Sequence, residues 1–150
     1  MKLAEALLSR KDLQTRQEEL RARLVRNAKV QEGEQPAEDP AQLLAELEQV
    51  TAQLETLVTR INLTNAAVRC EGKTLTELLA HREALMQQVS ILNSLMEAAS
   101  STVMRGSRME VKVLSTVNVA QLRKQTDALS KELRSCDTGI QSMNWTTELL

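Results

Sequence analysis

One histidine, two cysteines and one tryptophan are the least generic chemical groups in this 150-residue chain. A histidine moves protons or binds a metal only when other groups converge on it. His81 follows Glu77 by one helical turn, which permits an i,i+4 contact. That is not the Glu-x-x-His spacing of di-iron helical bundles. The sequence singles out no further partner, so His81 reads as a partly exposed helix residue. Cys70 and Cys136 form neither a metal-like cluster nor a disulfide framework. Cys136 falls at an expected core position and reads as a small hydrophobe. Cys70, beside a turn, reads either as a reduced, inert thiol or as an exposed, oxidisable one. No phosphate-cradling glycine loop, nucleophile elbow or paired-cysteine zinc motif occurs. The expectation is no catalytic residue, no cofactor and no metal.

Charge and composition narrow the partners. The net charge of −1 gives no electrostatic pull toward nucleic acid or anionic lipid. The chain has no Phe or Tyr, which argues against base-stacking platforms and suits narrow helix–helix seams. Arg105, Arg108 and Lys112 form a local basic patch, read as solvation and edge protection of an exposed ribbon. The first residues, with Glu5 inside their apolar run and Arg10 and Lys11 next, lack a signal-peptide h-region. No apolar run approaches a membrane span. These features lead to the expectation of a cytoplasmic protein with no nucleic-acid partner, for which a membrane role is disfavoured. Asn62-Leu-Thr64 and Asn144-Trp-Thr146 match the glycosylation pattern, which is incidental in that compartment.

The residues above must be held by helices. Leu43, Leu47, Val50, Leu54, Leu57 and Ile61 recur at spacings of four and three, the a and d positions of a heptad. The sequence predicts a mainly α, single helical domain over 1–150. Its four long heptad-patterned helices, about 2–26, 40–68, 75–100 and 118–143, form an antiparallel bundle or coiled-coil arrangement. In the first helix Leu3, Leu7, Leu13, Leu20 and Leu24 make a stripe that Arg10 and Gln17 interrupt. Those two either specify register on the seam or lie at its edge with their heads in water. Gly33, Pro36 and Pro40 mark a loop, with Asp39 as N-cap and Pro40 at the first helical position. Folding the basic first helix onto the acidic start of the second sets opposite charges side by side, with small energies per exposed pair. Arg69 to Lys73 is a turn around Gly72, after which Thr74 and Glu77 suit a capping box. The third helix has an apolar face wider than one seam needs, so two neighbours cover it, the second from another subunit. Asn118 reads as the N-cap of the fourth helix, where Thr126 stands in a missing heptad place among leucines.

Between helices 3 and 4, over about 101–117, Met109, Val111 and Val113 alternate with charged residues. That period of two predicts a short strand or a β-hairpin with Arg105-Gly-Ser107 at its tip; the alternative is an ordered loop. A lone hairpin is marginal in water and needs a covering partner. Met109, Val111 and Val113 are therefore candidate interface residues, with Leu54 and Leu57 on the second helix and Trp145 near the end.

Several segments carry a family likeness: the opening Met1-Lys-Leu-Ala-Glu-Ala-Leu7, the loop Arg26 to Gly33, Glu38-Asp-Pro40, Asn62 with Thr64-Asn-Ala66, Thr74-Leu-Thr76, Ser115-Thr-Val117 and the closing Asn144-Trp-Thr-Thr-Glu-Leu149. Together they resemble the small bacterial proteins labelled septicolysin-like, over nearly the whole chain. The resemblance implies a small helical bacterial protein, largely uncharacterised, and assigns no functional residue. The leading expectation is a non-enzymatic, self-associating helical scaffold, a homo-oligomer that also binds an unknown protein partner. The alternative is a membrane-active protein of cytolysin type, as the label suggests. An enzyme of unknown type is third.

Overall fold

The computed structural model describes residues 1–101 and 112–150. Four long helices dominate it: α1 Leu3–Arg26, α2 Pro40–Ala67, α3 Leu75–Ser100 and α4 Val119–Thr146. Their bounds lie within a few residues of those the heptads predict. Two compact units divide the chain. One comprises Met1–Leu75 with Ser142–Leu150, and the other Thr76–Gln141.

In the first unit α1 and α2 form an antiparallel helical hairpin. Leu20, Leu43 and Val50 are its buried cluster, with Leu13, Leu24 and Leu47 packed against them. All but Leu20, Leu13 and Leu24 belong to the α2 heptad stripe read from sequence. The loop between the helices is tied down by side chains. Asn27 donates its amide to the Arg23 carbonyl (2.9 Å) and accepts the Glu38 N–H (3.0 Å). Asp39 accepts the Ala41 N–H (3.0 Å), which makes it the N-cap, with Pro40 opening α2 where its missing N–H is harmless. On α1, Gln17 is half-buried and donates to Thr51 Oγ1 on α2 (3.1 Å) in an exposed hydrogen bond at the edge of the seam. Arg10 is also half-buried, and its Nε has no hydrogen-bond partner among the described residues.

The expected turn at Gly72 is a minimal β-hairpin. Strands β1 (Arg69–Cys70) and β2 (Lys73–Thr74) pair antiparallel, Arg69 opposite Thr74 and Cys70 opposite Lys73. The two linking residues, Glu71 (φ 50°) and Gly72 (φ 85°), are both left-handed, the signature of the turn that matches strand twist. Arg69 Nη1 donates to the Gly72 carbonyl (3.0 Å).

The two ends of the first unit meet. Leu3 N–H donates to the Thr147 carbonyl and Leu149 N–H to the Met1 carbonyl, both at 2.9 Å, so Lys2 and Glu148 form an antiparallel bridge. Lys2 Nζ reaches the Glu148 carboxylate at 2.7 Å and the Thr146 carbonyl at 3.0 Å. Glu5 accepts the Lys2 N–H (2.7 Å), which closes the start of α1. Beneath this clasp, fully buried Thr64 donates to the Arg60 carbonyl (2.8 Å) and accepts the Leu150 N–H (3.1 Å). Arg60 Nε donates to the Leu150 carbonyl (2.6 Å). Leu149 is buried against this unit, while the Leu150 side chain stays largely exposed.

In the second unit α3 and α4 run antiparallel, joined by contacts from Leu78 to Cys136 and from His81 to Glu132. The inward stripe of α4 is Leu122, Thr126, Leu129, Leu133, Cys136 and Ile140, all buried or half-buried. Thr126 is tolerated on it because its hydroxyl donates to the Leu122 carbonyl (2.8 Å). Asn118 caps α4 by accepting the Gln121 N–H (3.0 Å). The strand expected over 101–117 falls mainly on 102–111, outside the described residues; 112–115 are irregular.

Candidate interaction surface

Polar chemistry concentrates at paired charges. Arg23 holds Glu38 in a fork, Nε to both carboxylate oxygens at 3.0 and 3.2 Å. These hydrogen bonds keep the Glu38 carboxyl below its ordinary range and raise the Arg23 guanidinium. Arg16 pairs with Glu46 across the same hairpin, Nε to Oε1 at 3.0 Å. Both arginines and Glu46 line an open polar groove of about 360 Å³ with Asp12, Thr15 and Glu19. Its guanidinium groups are already engaged by carboxylates, so the basic and acidic stretches select each other within the hairpin. Glu148 is likewise held below its ordinary range by its hydrogen bonds to Lys2 and the Met1 amino group.

His81 and Cys136 sit in the second unit. His81 Nε2 lies 2.9 Å from Glu132 Oε1, a contact across the helix pair that local spacing does not reveal. Arg82 donates to Asp137 (3.2 Å). Cys136 is half-buried, its thiol donating to the Leu78 carbonyl (3.5 Å), and Cys70 is half-buried in β1. Among the described residues no three His, Cys, Asp or Glu side chains converge as a metal site.

The candidate interface residues separate. Leu54 and Leu57 are half-buried on the α2 stripe. Leu57 also lines an open, mostly apolar groove of about 470 Å³ with Leu13, Ala52, Thr56 and Arg60. Trp145 is 60% exposed. Val113 is 67% exposed and borders a second groove, about 240 Å³, with Leu95, Ala98 and Leu114. Met109, Val111, Arg105 and Arg108 lie outside the described residues, and Lys112 is exposed. The α3 face that the sequence reads as wider than one seam needs holds Ile91 and Leu95 in water, and Ile91 is the residue that reading does not single out. A signal for it was available: no charged residue occurs between Glu83 and Glu97.

Among the described residues no helix is long and apolar enough to cross a membrane. A model of a family of unknown function, DUF6847, matches residues 10–149. The chain is also similar to a functionally unknown conserved protein from Corynebacterium diphtheriae, solved by crystallography. The two share 43% identity and a TM-score of 0.93, over 100% of this chain and 99% of that one. No functionally curated protein matches. These matches correct the septicolysin-like assignment. It rested on short segments that are unspecific singly, whereas the family match spans most of the chain and carries no such label.

Proposed function

We propose, for a chain that belongs to DUF6847, a family of unknown function, that it is a non-enzymatic helical scaffold whose copies associate through helix faces. One observation carries this reading. Both units leave large apolar side chains in water on helix surfaces, among them Leu8, Leu44 and Leu63 in the first and Met86, Ile91 and Leu95 in the second. Single exposed leucines are ordinary, but apolar side chains bordering grooves on long helices favour association. The ion pairs Arg16–Glu46 and Arg23–Glu38 lie within the first unit and Arg82–Asp137 within the second, so these charges are engaged inside a hairpin. The test is native mass spectrometry with light scattering across a wide concentration range. A defined oligomer of the 16.7 kDa chain is the expected result. A monomer at every concentration overturns the proposal.

A further inference from the structure

Identical residues recur at fixed offsets in the two halves of the chain. Leu3, Glu5, Leu7, Arg10, Leu13 and Leu20 of α1 return unchanged 72 positions later on α3 (Leu3 to Leu75). Ala41, Gln42, Leu43, Leu54, Thr59, Ile61 and Asn65 of α2 return unchanged 79 positions later on α4 (Ala41 to Ala120). The larger second offset reflects extra length between Leu92 and Asn118. Heptads account for shared leucines, but not for a shared Glu5, Arg10, Gln42 or Asn65. Self-similarity of this kind is the mark of an internal repeat.

The structure keeps the same offsets. α2 and α4 are both 28 residues long, and each is capped by the side chain just before it, Asp39 and Asn118. Leu3 with Leu75, and Ile61 with Ile140, are each at most 1% exposed. Among the described residues, the buried side-chain nitrogens without a hydrogen-bond partner are the Nε atoms of Arg10 and Arg82, which are counterparts.

The strand contacts obey the offsets as well. Leu3 N–H donates to the Thr147 carbonyl (2.9 Å), and its counterpart Leu75 donates to Val68, the counterpart of Thr147 (3.0 Å). Thr147 and Val68 in turn donate to Met143 and Thr64, counterparts again (2.9 and 3.0 Å). The Lys2–Glu148 bridge corresponds to the Thr74–Arg69 pair of the β-hairpin. All of these contacts lie within the first unit. The start of each repeat is paired with the end of the other. Such reciprocity is what an isologous contact between two copies makes.

We infer that the chain is a fused pair of one helical-hairpin repeat, residues 2–70 and 74–149, and that the edge of each repeat has the edge of the other as its partner. The clasp and the Gly72 hairpin are one joint used twice, and only one of them has to be covalent. This does not depend on the self-association proposed above. Leu150→Glu followed by one added glycine joins Leu149 to Met1 through the two residue types of the native turn. Opening the chain between Glu71 and Gly72 then moves the break to the other joint. Leu150 is 62% exposed, so its replacement removes no core side chain. An independent two-stranded hairpin is marginal and frays without its turn, whereas a copy of the clasp holds. The expected permutant has wild-type far-UV circular dichroism, and its Leu75 amide exchanges within about tenfold of the rate of Leu3 in the wild type. A folded permutant whose Leu75 amide exchanges faster than that overturns the equivalence. A second variant needs no refolding: a protease site inserted between Glu71 and Gly72 is cut in the folded, full-length protein. Native mass spectrometry should return both pieces as one particle with Leu75 still protected. Pieces that separate, or a Leu75 amide released to free exchange, overturn the inference.

Discussion

Thr64→Val is the most informative single change in the first unit. Valine keeps the shape of the buried threonine and removes only the hydroxyl, which donates to the Arg60 carbonyl and accepts the Leu150 N–H. The Arg60 carbonyl lies in a helix and loses an additional partner, a small effect. The Leu150 N–H loses its acceptor in a partly buried setting, and a donor left unmade costs about 1–3 kcal/mol. Leu150 itself is largely exposed, so water replaces some of the lost bond and the lower half of that range applies. For a chain of this length about 1–1.5 kcal/mol corresponds to a fall in Tm of about 2–6 °C. Thermal unfolding gives the magnitude, and amide hydrogen exchange gives the cause. Thr64→Ser also loses stability, about 1 kcal/mol, because it deletes a buried methyl group. It nevertheless keeps the hydroxyl and therefore the protection of the Leu150 amide, which Thr64→Val loses. Wild-type Tm and unchanged Leu150 protection in Thr64→Val would refute the assignment of this hydroxyl as the anchor of the clasp.

Leu20→Ala opens a cavity against Leu43 and Val50 and lowers urea stability by about 2–5 kcal/mol, read as a lower midpoint at constant slope. Glu71→Asn relieves a left-handed backbone position and raises stability by about 0.5–1 kcal/mol, whereas Gly72→Ala lowers it; both are read by thermal melts. The Arg23 hydrogen bonds hold the Glu38 carboxyl below its ordinary value of 4.5 in the folded chain. Its contribution is therefore present above the unfolded value and disappears as pH falls through the folded one. The stability gap between wild type and Glu38→Gln should narrow in urea titrations from about pH 6 down to about pH 3; a constant gap would show that charge is irrelevant there.

Local rules made much of the fold legible. Asp39 with Pro40, and Asn118, are caps whose side chains act on N–H groups two or three residues away, so sequence suffices to find them. The α2 stripe from Leu43 to Ile61 is legible for the same reason, since burying one side of a helix imposes a period. Periodicity does not say whether a seam meets a partner within the chain. Ile91 and Leu95 carry heptad spacing as regular as that of Leu85 and Leu92, yet the first two face water and the second two do not. Nor does spacing reveal contacts between distant elements. His81 finds Glu132 rather than only its helical neighbourhood, and Thr64 finds Leu150, because tertiary packing brings them together. The Gly72 turn is legible in the sequence, but the strand pairing on either side of it is not. Its strands are two residues each, too short for alternation to register.

The clasp between Lys2 and Glu148 orders events during synthesis. Residues 142–150 complete a unit whose other members all lie within the first 75 positions. A ribosome releases α1 and α2 long before it makes the segment that closes over them. The α1–α2 hairpin must therefore persist in the nascent chain with Thr64 and the edge of Met1–Leu3 uncovered. Its local contacts form quickly, whereas the contact between distant segments carries the larger loop-closure entropy and comes last. A chain stalled before Ser142 should thus present a formed but open hairpin, protease-sensitive at its first residues, and emergence of residues 142–150 should protect them.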